Sequence, residues 1–133
     1  MRFKTGSERQ LFERRDSYLA IMNSFFEDSN KVLYFEEDGS LRLRLPSGEN
    51  ASVYYMSSGE RQLFVLITTL MFVEDEKQAS ILIIDEPELS LHLKWQEMFV
   101  DSLRAANSNV QLILATHSPS IILDNEQYCV DLV

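Results

Sequence analysis

From Ser7 to about Asp28 the apolar residues Leu11, Tyr18, Leu19, Met22, Phe25 and Phe26 recur mostly at three- and four-residue spacing, which predicts an amphipathic helix. Ser29-Asn30 ends it. The period then changes to two: Val32 to Phe35 and Leu41 to Leu45 predict strands joined across Glu36-Glu37-Asp38-Gly39, and Ser47-Gly48-Glu49-Asn50 turns the chain toward a third strand at Ala51 to Tyr55. Leu41, Leu43 and Leu45 alternate with Arg42 and Arg44, so this antiparallel meander has one wet face. Helical spacing returns from Glu60 to about Val73, with Leu63, Leu66, Ile67, Leu70 and Met71 on one face and further apolar residues beside them, as in a helix buried nearly all round. Ile81 to Ile84 is a short continuous apolar run, expected of a central parallel strand covered on both faces. A helix from about Ser90 to Ala106, a strand at Val110 to Ala115, a short helix from Pro119 and a last strand at Tyr128 to Leu132 follow. Strands alternating with helices define an α/β fold with parallel core strands and right-handed crossovers, preceded by a helix and a small meander. The only seam lies near Met56, dividing residues 1–55 from residues 56–133 within one expected domain.

Composition agrees with this picture. The 133 residues are 45% apolar and 11% aromatic, enough to bury a core. The longest apolar run, Leu63 to Met71, is interrupted by Thr68 and Thr69 and falls far short of the roughly 18 residues of a membrane span. No charged-then-apolar signal segment opens the chain, so a cytoplasmic location without membrane partners is expected. Cys129, the single cysteine, lies between Tyr128 and Val130 and is expected to be a buried, inert thiol. The net charge of −9 is unevenly spread: residues 1–31 carry six basic and five acidic side chains, residues 32–133 six basic and sixteen acidic. Most of the chain therefore repels a phosphate backbone, and a basic surface for nucleic acid is expected on Arg2, Lys4, Arg9, Arg14 and Arg15 or on sequence outside these residues.

Three short stretches carry chemistry, and each also has an ordinary structural reading. Ser57-x-x-Glu60 has the form of a capping box. The same helix N-terminus offers unpaired N–H groups and a positive dipole end, and Gly59 lets backbone approach an anion, so a γ-phosphate fits there. Asp85 and Glu86 end the apolar strand at the carboxyl edge that α/β folds use for ligands, either as solvated loop residues and a cap before Pro87 or as catalytic carboxylates. In the catalytic reading Asp85 helps to hold Mg²⁺ while Glu86 orients and polarises the water that attacks a γ-phosphate. His117 leaves the next strand at that edge, ahead of Ser118-Pro119, as a turn residue or as a donor to transferring phosphate. His92, the other histidine, opens a helix and has no recognisable metal-ligand spacing.

In combination and in this order the stretches resemble the ATP-binding cassette ATPases. Ser57-Ser58-Gly59-Glu60 resembles their signature motif, Ile81 to Glu86 their Walker B strand, Glu88-Leu89-Ser90-Leu91-His92 their D-loop and His117 their switch histidine. The wording Asp-Glu-Pro-Glu-Leu-Ser-Leu-His differs from that of transporters and is similar to the soluble SMC, RecF-like and overcoming-lysogenization-defect ATPases, many of which act on DNA or in defence against phage. The resemblance spans about residues 30–133 and leaves the first helix unmatched. It implies a P-loop NTPase sheet, ATP and Mg²⁺ as ligands, and a head-to-tail homodimer that sandwiches the nucleotide. Ser57, Ser58, Gly59, Glu60 and Ser90 then bind nucleotide, Asp85 binds the metal, and Glu86 and His117 are catalytic.

One departure shapes the expected activity. The four glycines are Gly6, Gly39, Gly48 and Gly59, and the positions five residues on hold Leu11, Arg44, Val53 and Phe64, so no G-x-x-x-x-G-K-[ST] phosphate loop lies in these residues. The chain thus reads as the C-terminal half of an SMC/OLD-like ATPase, hydrolysing ATP only when a Walker A-bearing lobe complements it. Alternatively it is a dimerisation or regulatory lobe that hydrolyses nothing itself, or a subunit working with a nucleic acid or nuclease partner through other parts.

Overall fold

Thr5 caps the first helix, α1 (Gly6–Phe26), in a reciprocal box: its hydroxyl accepts from the Glu8 N–H while Glu8 accepts from the Thr5 N–H. The computed structural model describes residues 5–73 and 80–132; Arg2 and Lys4 lie outside them. Only the second half of α1 is buried, through Tyr18, Met22, Phe25 and Phe26, and Leu11 faces solvent. The remaining N-terminal cations are partly neutralised in place, Arg9 by Glu13 and Arg15 by Asp16. Asn30, in the left-handed conformation, stops the helical segment with its N–H on the Glu27 carbonyl.

Two hydrogen bonds that no periodicity reveals attach the meander to this helix. The Asn23 side chain donates to the Leu33 carbonyl at 3.0 Å and accepts from the Leu33 N–H at 2.7 Å. Strands β1 (Val32–Phe35), β2 (Leu41–Arg44) and β3 (Asn50–Ser52) pair antiparallel in that order. Leu33 and Leu43 oppose each other and are buried, while Arg42 and Arg44 stay exposed, as the alternation required. Gly39 and Gly48 take positive φ in the two turns, a conformation open to glycine without strain. The third strand is shorter than the apolar pattern implied, since Val53–Tyr55 winds into a 3₁₀ turn that leaves Tyr54 and Tyr55 exposed.

Helix α2 (Ser58–Phe72) buries Leu63, Ile67, Leu70 and Met71. It is not covered all round: Val65 and Phe72 are exposed, so its apolar face is wider than the core it meets. The Tyr18 hydroxyl pairs with Thr68 Oγ1 at 3.0 Å, and Phe35, Phe64 and Phe72 ring the tyrosine. These contacts place α2 with α1 and the meander in a unit that ends at Val73, whereas the sequence pattern put the seam near Met56. Burial pushes the Tyr18 hydroxyl above its usual 10.0, against the smaller opposing effect of Thr68. A raised tyrosine pKa favours the neutral form, so its contribution is whole below pH 10 and is lost as pH rises through the folded value. Unfolding midpoints measured from pH 9 to 11 should accordingly fall more steeply for the wild type than for Tyr18→Phe, which costs about 1 kcal/mol at neutral pH through the lost hydrogen bond.

The second unit holds strand β4 (Ser80–Asp85), helix α3 (Leu93–Ala106), strand β5 (Val110–Ala115) and the short helix α4 (Pro119–Ile122). Strands β4 and β5 run parallel in unbroken register from Ser80 opposite Val110 to Asp85 opposite Ala115. Trp95, Phe99 and Leu103, four residues apart, form the buried stripe of α3, and Ile121 is buried on α4, which packs against it. Three expectations are corrected here. Among the described residues strand β4 is not covered on both faces, because Ile81, Ile83 and Ile113 are exposed while Ile84 is buried on the other side. The helix expected from Ser90 is a 3₁₀ turn at Pro87–Ser90 and a fresh start after His92, because proline at the first position favours the tight turn. No strand forms at Tyr128 to Leu132 among the described residues; a 3₁₀ segment at Leu123–Tyr128 precedes an exposed stretch in which Cys129 is open to solvent. Among the described residues no helix is long and apolar enough to cross a membrane.

Candidate functional site

In the first unit, Ser57 is the N-cap of α2: its hydroxyl accepts from the Glu60 N–H at 3.2 Å and Glu60 Oε2 accepts from the Ser57 N–H at 2.8 Å. Ser57 and Ser58 are exposed, and the first helical positions, Ser58 and Gly59, have no acceptor four residues back. The turn therefore presents polar groups and a positive helix end outward. Glu60 does not share in that presentation. It is 3% exposed, and Lys31 Nζ binds both its carboxylate oxygens, at 2.8 and 3.1 Å. Its side chain braces the turn from behind, in contrast to the nucleotide-contact role that the motif implied. Lys31 lies 29 residues away in sequence, and nothing in the local pattern marks it as a partner.

In the second unit the two parallel strands end together and the chain turns sharply. Glu86 donates its N–H to the Ala115 carbonyl at 2.8 Å, extending the ladder by one bond. It then adopts φ 47° and ψ 57°, the left-handed region that costs a residue with a Cβ about 1 kcal/mol or more. Strain of this kind at a strand end is common where a side chain must point a particular way for chemistry. Here it brings Glu86 Oε1 to 3.9 Å from His117 Nε2, with the carboxylate half-exposed and the imidazole 91% exposed. Asp85 and Ser90 are also exposed at this edge.

Behind these groups lies a polar framework. Glu88 Oε1 accepts from the His117 backbone N–H at 2.9 Å. Burial pushes the Glu88 carboxyl up, but the His117 and Glu88 backbone N–H groups, the Thr116 hydroxyl and the imidazole of His117 together hold it below the usual carboxylate value. Gln96 on α3 donates to the Leu91 carbonyl at 2.8 Å and to that of Glu88 at 3.5 Å, and its oxygen pairs with the Ser118 hydroxyl. Ser118, the cap of α4, accepts from the Ser120 N–H and donates its own N–H to Thr116. Sequence reading placed Glu88 in a motif without a role of its own and missed Gln96, because both act through contacts more than twenty residues distant.

As a metal centre the edge is incomplete by itself. Among the described residues no three histidine, cysteine or carboxylate side chains are arranged to hold an ion, and His92 instead lies against the Trp95 ring. A single exposed carboxylate at a strand end suits Mg²⁺, which keeps several waters and takes one or two carboxylates plus substrate phosphates.

Residues 5–124 match the family described as AAA domain, putative AbiEii toxin, Type IV TA system. The chain belongs to this AAA-domain family. Because the match starts at residue 5, α1, which had no counterpart in the motif resemblance, is part of the AAA domain. Among curated relatives, the probable ATPase of retron Vc95 from Vibrio cholerae serotype O1 biovar El Tor is 32% identical over 138 residues, covering 85% of this chain and 27% of the relative. The probable ATPase of retron Ec83 from Escherichia coli is 28% identical over 143 residues, with coverages of 85% and 26%. The chain thus spans about a quarter of the length of these relatives. In fold the AAA domain is similar to an SMC head bound to the C-winged helix domain of ScpA, with a TM-score of 0.57, 19% identity and coverage of 82% of this chain and 35% of that one. It is also similar to the SMC head domain from Thermotoga maritima, with a TM-score of 0.53, 20% identity and coverages of 80% and 38%. The likeness to SMC heads is one of fold, and that fold is P-loop NTPase-like.

Proposed function

We propose that this AAA domain is the C-terminal, hydrolytic part of an SMC/OLD-like ATPase and turns over Mg-ATP when a Walker A-bearing lobe complements it. The observation that carries this reading is the convergence of Glu86 and His117 at the carboxyl edge of β4 and β5, with Glu86 held in a strained backbone conformation. Glu86 orients the attacking water and accepts its proton, and His117 donates from Nε2 to a γ-phosphate oxygen as negative charge gathers there. Asp85 would hold Mg²⁺, directly or through water, and the bound ion would neutralise phosphate charge. The exposed apolar face of Ile81, Ile83 and Ile113 supports further strands or a lobe closing over the sheet.

Ser57 and Ser58 are exposed at the positive end of α2, with Gly59 buried just behind them, which supports their service to a nucleotide held by a second copy of the chain in a head-to-tail homodimer. Glu60 contributes by holding that turn in place, and Ser90 lies exposed on the segment after Glu86, where the partner would approach. Similarity to two retron ATPases supports a role as the ATPase of such a system, in phage defence or DNA repair, with nucleic acid or a nuclease engaged by other parts of the protein. His117→Ala in the assembled ATPase is expected to lower kcat for ATP by about 10- to 100-fold, the worth of one well-placed donor to developing charge. A steady-state rate equal to wild type would remove His117 from this mechanism.

A further inference from the structure

The side chains of Glu86 and His117 do not fix each other. Their closest approach, 3.9 Å, is beyond hydrogen-bond reach, and both face solvent. The sheet holds the Glu86 backbone, through its N–H on the Ala115 carbonyl, but not His117, which lies two residues past that bond. What spans the gap is Glu88. Its Oε1 takes the His117 N–H at 2.9 Å, and its Oε2 is buried. A bond from a backbone donor to an ionised carboxylate is among the stronger hydrogen bonds, and here it ties the turn after β4 to the turn after β5 across 29 residues. Gln96 adds a second tie, joining the Leu91 and Glu88 carbonyls to the Ser118 hydroxyl.

We propose that Glu88 is a positioning residue that sets the placement of His117 relative to Glu86 by holding the His117 backbone N–H, with Gln96 bracing the same pair of turns. The proposal rests on the hydrolytic reading of Glu86 and His117 given above. The carboxylate touches no reacting atom in this arrangement. Besides His117 its carboxyl meets the Thr116 hydroxyl on the same turn, so the His117→Ala background is what separates positioning of the imidazole from support of the fold.

Steady-state ATP hydrolysis by the assembled protein tests this. Glu88→Ala is expected to lower kcat about 30-fold with KM for ATP changed less than about 2-fold, as small misplacements of a catalytic group do. Glu88→Gln, whose amide oxygen can accept the same N–H, should stay within about 3-fold of wild type. In a His117→Ala background, Glu88→Ala should cost less than about a further 2-fold, because residues that act through one another are not additive. Should Glu88→Ala fail to fold, Glu88→Asp takes its place with the same expectation, since it keeps the charge but falls one methylene short of the donor. Wild-type kcat in Glu88→Ala or Glu88→Asp, no rescue by Glu88→Gln, or an undiminished loss in the His117→Ala background each overturns the proposal. Glu86→Gln is the control. If it is inactive while Glu88→Ala is not, this inference alone fails; if Glu86→Gln turns over at the wild-type rate, the hydrolytic reading fails and this inference with it.

Discussion

Glu86→Gln in the assembled ATPase is expected to reduce kcat by about 10³-fold, close to 4 kcal/mol in the barrier, while ATP still binds with nearly wild-type affinity. The substitution preserves shape. The amide has almost the volume of the carboxylate, and the left-handed backbone at Glu86 is set by the turn into Pro87 and by the N–H bond to Ala115, neither of which involves the side chain. What is lost is the anion. A glutamine can still orient a water by accepting one hydrogen bond, but it cannot take the proton that the water releases on attacking phosphorus. In the proposed site ground-state binding would depend on the complementing lobe, Mg²⁺ and the turn at Ser57, so the effect should fall on kcat with KM little changed. Single-turnover hydrolysis alongside equilibrium ATP binding reads the two separately. Turnover within about 3-fold of wild type would falsify the role given to Glu86, because general-base catalysis alone contributes at least about 10²-fold.

Why the capping box and the strand ends were legible in the sequence, and the framework behind them was not, follows from the range of the interactions. The capping box at Ser57 and Glu60 is local, with donors and acceptors three residues apart, and the spacing alone disclosed it. The strand Val110–Ala115 and the run ending at Asp85 were readable because an apolar stretch that stops at charged or polar residues also stops being sheet. The second partner of Glu60 is different. Lys31 reaches it because α1, β1 and α2 pack as one unit, and no periodic rule links a lysine after a helix to a carboxylate 29 residues later. Glu88 and His117 are the same distance apart and equally silent.

The errors have a common cause as well. Apolar pattern records what a segment can bury, not what is present to bury it. Ile81 to Ile84 reads as doubly covered, yet one face of β4 is exposed among the described residues, and Val65 and Phe72 stand out from α2 for the same reason. Tyr128 to Leu132 alternates like a strand but pairs with no strand among the described residues, and Cys129 is exposed where a buried thiol was expected.

Lys31→Met should destabilise the folded protein by about 3 kcal/mol at neutral pH, the scale of a buried pair broken on one side. Glu60 is nearly inaccessible and Lys31 is about four-fifths covered, with side-chain exposures of 4% and 21%, so solvent screens this pair far less than the surface pairs on α1. Methionine fills the space of the lysine stem but supplies no donor. The Glu60 carboxylate then keeps only the Ser57 N–H and the field of the helix end, too little to compensate a desolvated charge. The reverse change, Glu60→Gln, should cost less, about 1 kcal/mol, because its amide oxygen can still accept from Ser57 and the lysine can turn toward water. Combining the two removes the orphaned charge, so Lys31→Met/Glu60→Gln should recover most of the loss and lie within about 1 kcal/mol of wild type, as when apolar groups replace a buried ion pair. Urea unfolding of the three variants measures this cycle. A double variant as unstable as the sum of the singles would show that Lys31 stabilises through packing of its stem and not by neutralising Glu60. In the expected outcome, the buried charge at Glu60 is tolerable only because the segment that follows α1 places Lys31 against it, leaving the Ser57 N–H and hydroxyl to close the capping box.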